Sequence, residues 1–101
     1  MKYIILLLLT TSIYAQKDFQ TEDFDWDMTV GQLVDYEEDN GSYVDIDAIG
    51  GWRNITEIEA TRLDGKNYRY WYSENGILYA YVLEYYIDGE RIVESFNPPN
   101  N

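Results

Sequence analysis

Residues 68–86 read YRYWYSENGILYAYVLEYY and hold seven of the chain's eleven tyrosines. On both sides of Asn75-Gly76 the tyrosines recur every second residue, the period of a β-strand. Asn-Gly between two such runs suits a tight two-residue hairpin turn. That turn sets Tyr72 opposite Tyr79, Tyr70 opposite Tyr81 and Tyr68 opposite Leu83. Asp64-Gly65 and Asp88-Gly89 carry the same turn chemistry and divide the chain into strands near 54–63, 66–74, 77–87 and 90–96. Around Asp88-Gly89, Tyr85 then faces Ile92 and Tyr81 faces Phe96.

Tyr68, Tyr70, Tyr72, Tyr79, Tyr81, Tyr85 and Phe96 therefore share one face. Large aromatic side chains of this kind serve equally as core and as rigid, amphipathic contact area. The expectation is a mixed face, with central rings partly buried and outer rings open as a binding face. On the reverse face Trp71 opposes Ala80 and neighbours Ile58, with Leu78, Val82 and Val93 added. The central strand is apolar on both sides, and one short helix does not easily cover both.

Upstream, residues 24–28 read FDWDM, an apolar/acidic alternation that predicts a short strand or extended arm. Thr29 predicts a helix N-cap, with Gln32 three residues on completing a capping box. Val30, Leu33, Val34 and Tyr36 form the apolar stripe, and Asn40-Gly41 ends the helix by permitting a left-handed backbone. In residues 42–49, SYVDIDAI, Val44, Ile46 and Ala48 share one strand face before Gly50-Gly51 breaks it. The fold class expected is α+β, a short N-terminal helix packed with an antiparallel β-meander of four or more strands.

Residues 1–15, MKYIILLLLTTSIYA, have the basic start, apolar centre and small final residue of a secretory signal peptide. Residues 16–23 read as a polar leader, 24–97 as one domain and 98–101 as a flexible tail. The localisation expected is secreted or periplasmic, with no membrane insertion after signal cleavage. The chain has no cysteine, so stability must come from an apolar core without disulfide staples.

Without Lys2, six basic residues face 19 acidic ones, a net charge of −13. Such a chain repels nucleic acid, whose phosphates need basic neutralisation, and attracts a cationic protein or peptide. Residues 18–47 carry 11 acids and no lysine or arginine. An acidic surface is expected at Asp35, Glu37, Glu38, Asp39, Asp45 and Asp47.

Asp23, Asp25 and Asp27, followed by Thr29, match the alternating oxygen ligands that open a calcium loop. Met28 stands where such a loop needs glycine, and Val34 where it needs a bidentate glutamate. Strand alternation explains the same letters, so calcium is an alternative and no cofactor is the leading expectation. With no His and no Cys, histidine bases, thiolate nucleophiles and ordinary zinc sites are excluded. Ser42, Ser73 and Ser95 lie in no nucleophile motif, and no glycine-rich phosphate loop occurs. No carboxylate pair is privileged, and no enzyme is expected. Asn54-Ile55-Thr56 fits a glycosylation acceptor. Arg53, Arg62, Arg69 and Arg91 read as surface ion partners.

These features together predict a non-catalytic binding or inhibitory protein that engages a cationic partner through acidic surface and tyrosine-rich sheet. A structural or self-associating envelope component, a homo-oligomer, is the alternative.

Overall fold

The computed structural model describes residues 19–49 and 54–99. The expected signal peptide, the start of the leader, Gly50-Gly51, Arg53 and the last two residues lie outside the described residues. Helix α1 (Val30–Asp39) is followed by β1 (Tyr43–Ile49), β2 (Ile55–Thr61), β3 (Asn67–Tyr72), β4 (Leu78–Ile87) and β5 (Glu90–Phe96). The strands form one antiparallel sheet in the order β1-β2-β3-β4-β5. The fold is the expected α+β meander, with β1 as its fifth strand.

α1 begins as its sequence dictates. The Thr29 hydroxyl accepts from Gln32 N at 3.2 Å, and Gln32 Oε1 accepts from Thr29 N at 3.0 Å. Its end is a paired reverse cap: Gly41 N donates to Glu38 O and Ser42 N to Glu37 O, both at 3.0 Å. This needs the left-handed Gly41, at φ +80°. The cap also turns Ser42 back towards the helix.

The Asp88-Gly89 turn is the two-residue turn expected, with both φ positive and Ile87 opposite Glu90. The other two turns are one residue longer. Arg62 N donates to Lys66 O and Gly65 N to Arg62 O, while Ser73 N donates to Ile77 O and Gly76 N to Ser73 O. Each is a three-residue loop closed by a left-handed glycine.

The extra residue has consequences for register. β2 shifts by one against β3, so Ile58 opposes Tyr70 and Ala60 opposes Tyr68. Ile58 thus joins the tyrosine face, not the reverse face beside Trp71. At the β3–β4 turn Tyr72 opposes Leu78, not Tyr79, and Leu78 also joins the tyrosine face. A bulge at Tyr79 then restores the expected register, and Tyr70–Tyr81, Tyr68–Leu83 and Trp71–Ala80 pair as read from the sequence. Tyr85–Ile92 and Tyr81–Phe96 do so too.

The tyrosine face is the core. Tyr68, Tyr70 and Tyr72 are wholly buried, Tyr81 and Tyr85 nearly so, with Ile58, Ala60, Leu78, Leu83 and Leu33. The rings pack in offset and edge-on pairs, among them Tyr81 on Phe96 at 4.9 Å and Phe24 on Tyr81 at 5.4 Å. Such pairs contribute about 0.5–1.5 kcal/mol beyond their buried area.

α1 does not cover this face alone. Phe19, Phe24, Trp26 and Met28 pack on it from the N-terminal side. The FDWDM segment keeps its alternation of burial but is no strand. It turns twice, with Phe24 N donating to Thr21 O and Met28 N to Asp25 O, both at 3.1 Å. Phe19 and Gln20 belong to the domain and not to a polar leader, because Phe19 meets Tyr85 edge-on at 5.2 Å.

The opposite sheet face is bare among the described residues. Register places Trp71, Ala80, Val82, Tyr86 and Val93 there, with Arg69, Glu84 and Arg91 between them. On β1 and β2 it carries Asp45 opposite Glu59 and Asp47 opposite Glu57.

Candidate functional site

Two polar arrangements stand out. The first is internal and centres on Glu37, which is fully buried. Helical spacing puts it one turn past Leu33, on the stripe that enters the core. Arg62, the first residue of the β2–β3 loop closure, reaches it from the sheet. Arg62 Nε donates to Glu37 Oε1 at 3.1 Å and Nη2 to Oε2 at 2.9 Å. Ser42 Oγ donates to Oε1 at 2.7 Å, and the Tyr70 hydroxyl makes a short hydrogen bond to Oε2.

The rest of the guanidinium holds the N-terminal segment. Nη1 donates to Phe19 O at 2.9 Å and Nη2 to Gln20 Oε1 at 2.6 Å. Gln20 Nε2 donates to the Tyr70 hydroxyl at 2.7 Å, and the Tyr36 hydroxyl donates to Gln20 Oε1 at 2.8 Å. The guanidinium carbon lies 4.0 Å from the centre of the Tyr68 ring, a cation–π contact.

Burial works against the Arg62 charge, but the hydrogen bonds and charge of Glu37 outweigh it and raise its pKa above the ordinary value. Burial, and then the Glu37 charge, push the Tyr70 hydroxyl far above the usual range. Burial pushes Tyr72 up to about 12. A carboxylate has about four acceptor positions, and Glu37 fills them with four donors. It has no position left for a substrate proton, so this cluster is a lock between α1, β3 and residues 19–21.

The second arrangement faces solvent. Asp23, Asp35 and Asp39 line an open groove of about 420 Å³ with Met28, Gln32, Tyr36 and Asn40. Of the ten acids in residues 19–49, nine are exposed, and the tenth is Glu37. Asp35, Glu38, Asp39, Asp45 and Asp47 are thus surface residues as expected, and Glu37 is corrected to a core residue.

Asp23, Asp25 and Asp27 lie on the two turns before α1. Asp25 Oδ1 accepts from Asp27 N at 2.9 Å, which commits one carboxylate oxygen locally. Among the described residues no three acids form a group able to hold a metal ion.

The tyrosine binding face is the larger correction. Tyr68, Tyr70, Tyr72, Tyr81 and Tyr85 are buried and Phe96 half-buried, while Tyr79, the bulge residue, is 39% exposed. No partner reaches the buried rings while α1 and the N-terminal segment are in place. Sequence reasoning missed the Glu37–Arg62 pair. Its signal was a glutamate one turn past Leu33, where the helical period calls for an apolar residue. Arg69 and Arg91 do sit at the surface, paired with Glu59 and Glu84. Asn54 is exposed at the start of β2. None of the described helices is long and apolar enough to cross a membrane.

No protein-family model, curated protein or solved structure matches this chain.

Proposed function

We propose that this is a non-catalytic binding or inhibitory protein, secreted or periplasmic, whose ligand is a cationic protein or peptide. One observation carries the reading. The four cations of the described residues, Arg62, Lys66, Arg69 and Arg91, each have an acidic partner, and only Glu37 among those partners belongs to residues 19–49. No cation of the described residues is left for the nine exposed acids of that segment. Such a field destabilises a compact fold through self-repulsion and speeds encounter with a ligand of opposite charge. The signal-like residues 1–15 support a location outside the cytoplasm.

Calorimetry with octalysine and octaglutamate tests the reading. Octalysine is expected to bind, and to weaken as salt shortens the Debye length from about 10 Å at 0.1 M to about 3 Å at 1 M. Equal, negligible heats with both peptides at low salt overturn it.

A further inference from the structure

The reading of a cationic ligand says nothing of where affinity resides, because exposed charges mainly steer association. The bare face of the sheet offers what the acidic helix side lacks. Tyr86 is 62% and Val93 48% exposed there, on a diagonal that continues through Val82 to Trp71, with Arg69, Glu84 and Arg91 at its sides. At the Trp71 end of this strip Glu57 is the cross-strand neighbour of Trp71, and across β1 and β2 Asp45 opposes Glu59 and Asp47 opposes Glu57. Like charges directly opposite each other in a sheet are destabilising. Arg69 lies 3.6 Å from Glu59 and answers one of the four carboxylates.

The face is large enough to dock a protein. Strands about 4.8 Å apart, rising about 3.3 Å per residue, give five seven-residue strands a face of roughly 550 Å². Two partners together would bury roughly 1,100 Å², above the ~1,000 Å² that a specific interface needs. Charge decides the occupant. A second copy would bring the same excess of charge into the contact, the carboxylates of Asp45, Asp47, Glu57, Glu59 and Glu84 against Arg69 and Arg91 alone, and would bury carboxylates that these two cations do not match, which is costly. A basic surface meets them with opposite charge.

We infer that the bare sheet face is the docking surface for a protein or peptide that presents an apolar ridge flanked by lysines or arginines. The ridge seats on Trp71, Val82 and Val93, and the basic flank covers Asp45, Asp47, Glu57 and Glu59. This rests on the cationic-ligand reading and assigns it a face.

The probe is a peptide of four Lys-Val repeats, followed by amide chemical-shift mapping and calorimetry, with octalysine alongside. The expected result is tighter binding of the Lys-Val peptide than of octalysine, with shifts concentrated on β2, β3 and β4 around Trp71. Asp47→Asn with Glu57→Gln should weaken that binding at least tenfold. The same pair should raise the melting temperature by removing like-charge repulsion, which separates lost contact from lost fold. Asp35→Asn with Asp39→Asn should leave the affinity within about twofold. Shifts confined to the Asp23–Asp35–Asp39 groove would overturn the inference and leave the cationic-ligand reading standing. Binding of neither peptide would overturn both. Concentration-dependent shifts at Trp71 without any peptide would assign the face to a second copy and overturn the inference.

Discussion

Arg62 grips Glu37 at two points, 3.1 Å and 2.9 Å, and Glu37 has no solvent-exposed surface. A buried pair of this kind is weak evidence of net stability, but removing one partner strands the other charge. Arg62→Met is therefore expected to cost about 3–5 kcal/mol. Combining it with Glu37→Leu should cost less than Arg62→Met alone, because no charge is left stranded. Urea unfolding of the two variants checks this, and a double variant weaker than the single one by a fully additive amount would show that the pair does not couple.

The buried hydroxyls make the fold alkali-sensitive. Tyr72 titrates at about 12 in the folded chain against an ordinary 10, so the unfolded state loses its proton first. Its contribution is fully present below pH 10 and declines as pH rises from there to about 12. Tyr70, raised further, extends the loss upward. Unfolding is expected to coincide with the part of the tyrosinate absorbance near 295 nm that comes from the buried rings, as one cooperative step. Tyr72→Phe should flatten the stability curve between pH 10 and 12. Tyrosinate signal from Tyr70 in a chain whose circular dichroism is still native would contradict this burial.

Much of this fold is legible in the residues, and the errors of register share one cause. Alternation located the strands, and turn dipeptides located the hairpins. The cap residues located both ends of α1. What the dipeptides did not disclose was loop length. Asp88-Gly89 closes a two-residue turn, whereas Asp64-Gly65 and Asn75-Gly76 sit in three-residue loops. The decision lies in the flanks. Ile58 and Ala60 reach the tyrosine side only if β2 shifts by one, and burying them there outweighs the shorter turn. Local side chains then support the longer loops, as Asp64 Oδ1 accepts from Lys66 N at 3.0 Å and Ser73 Oγ from Ile77 N at 3.3 Å. One residue exchanges the faces of a strand, so a small error in a turn moved Ile58 across the sheet. The Glu37–Arg62 lock joins residues 25 apart, and no local period encodes such a pairing.

The Tyr79 bulge yields a test of this register argument. The three-residue loop sets β4 one residue out of step, and Tyr79 absorbs the difference. Deleting Tyr79 leaves Leu78 inward, Ala80 outward and Tyr81 inward, a regular alternation with every core ring in place. The deletion is expected to fold with a modest change in melting temperature. Deleting Val82 should abolish folding, because it turns either Tyr81 or Leu83 out of the core. Circular dichroism and the dispersion of amide resonances distinguish the two. A folded Val82 deletion would mean that the sheet tolerates slippage.

The end of α1 sets stability against binding. Glu38 and Asp39 occupy its last turn, with no basic residue in that turn. The carbonyl end of a helix disfavours negative charge by about 0.3–1 kcal/mol per exposed group. Both side chains are exposed, and neither covers the core. Glu38→Gln with Asp39→Asn should therefore stabilise the fold, at most by roughly 1–2 kcal/mol before screening. Because these acids lie on the helix side, away from the bare sheet face, their loss should act on approach and not on contact. Stopped-flow binding of the Lys-Val peptide is expected to show an association rate lower by up to about twofold and an unchanged dissociation rate, the signature of steering. Asp47→Asn should do the reverse. A faster dissociation from the Glu38/Asp39 variant would place the ligand against α1. Unchanged rates in both directions, with higher stability, would leave the helix-end acids a role in solubility alone.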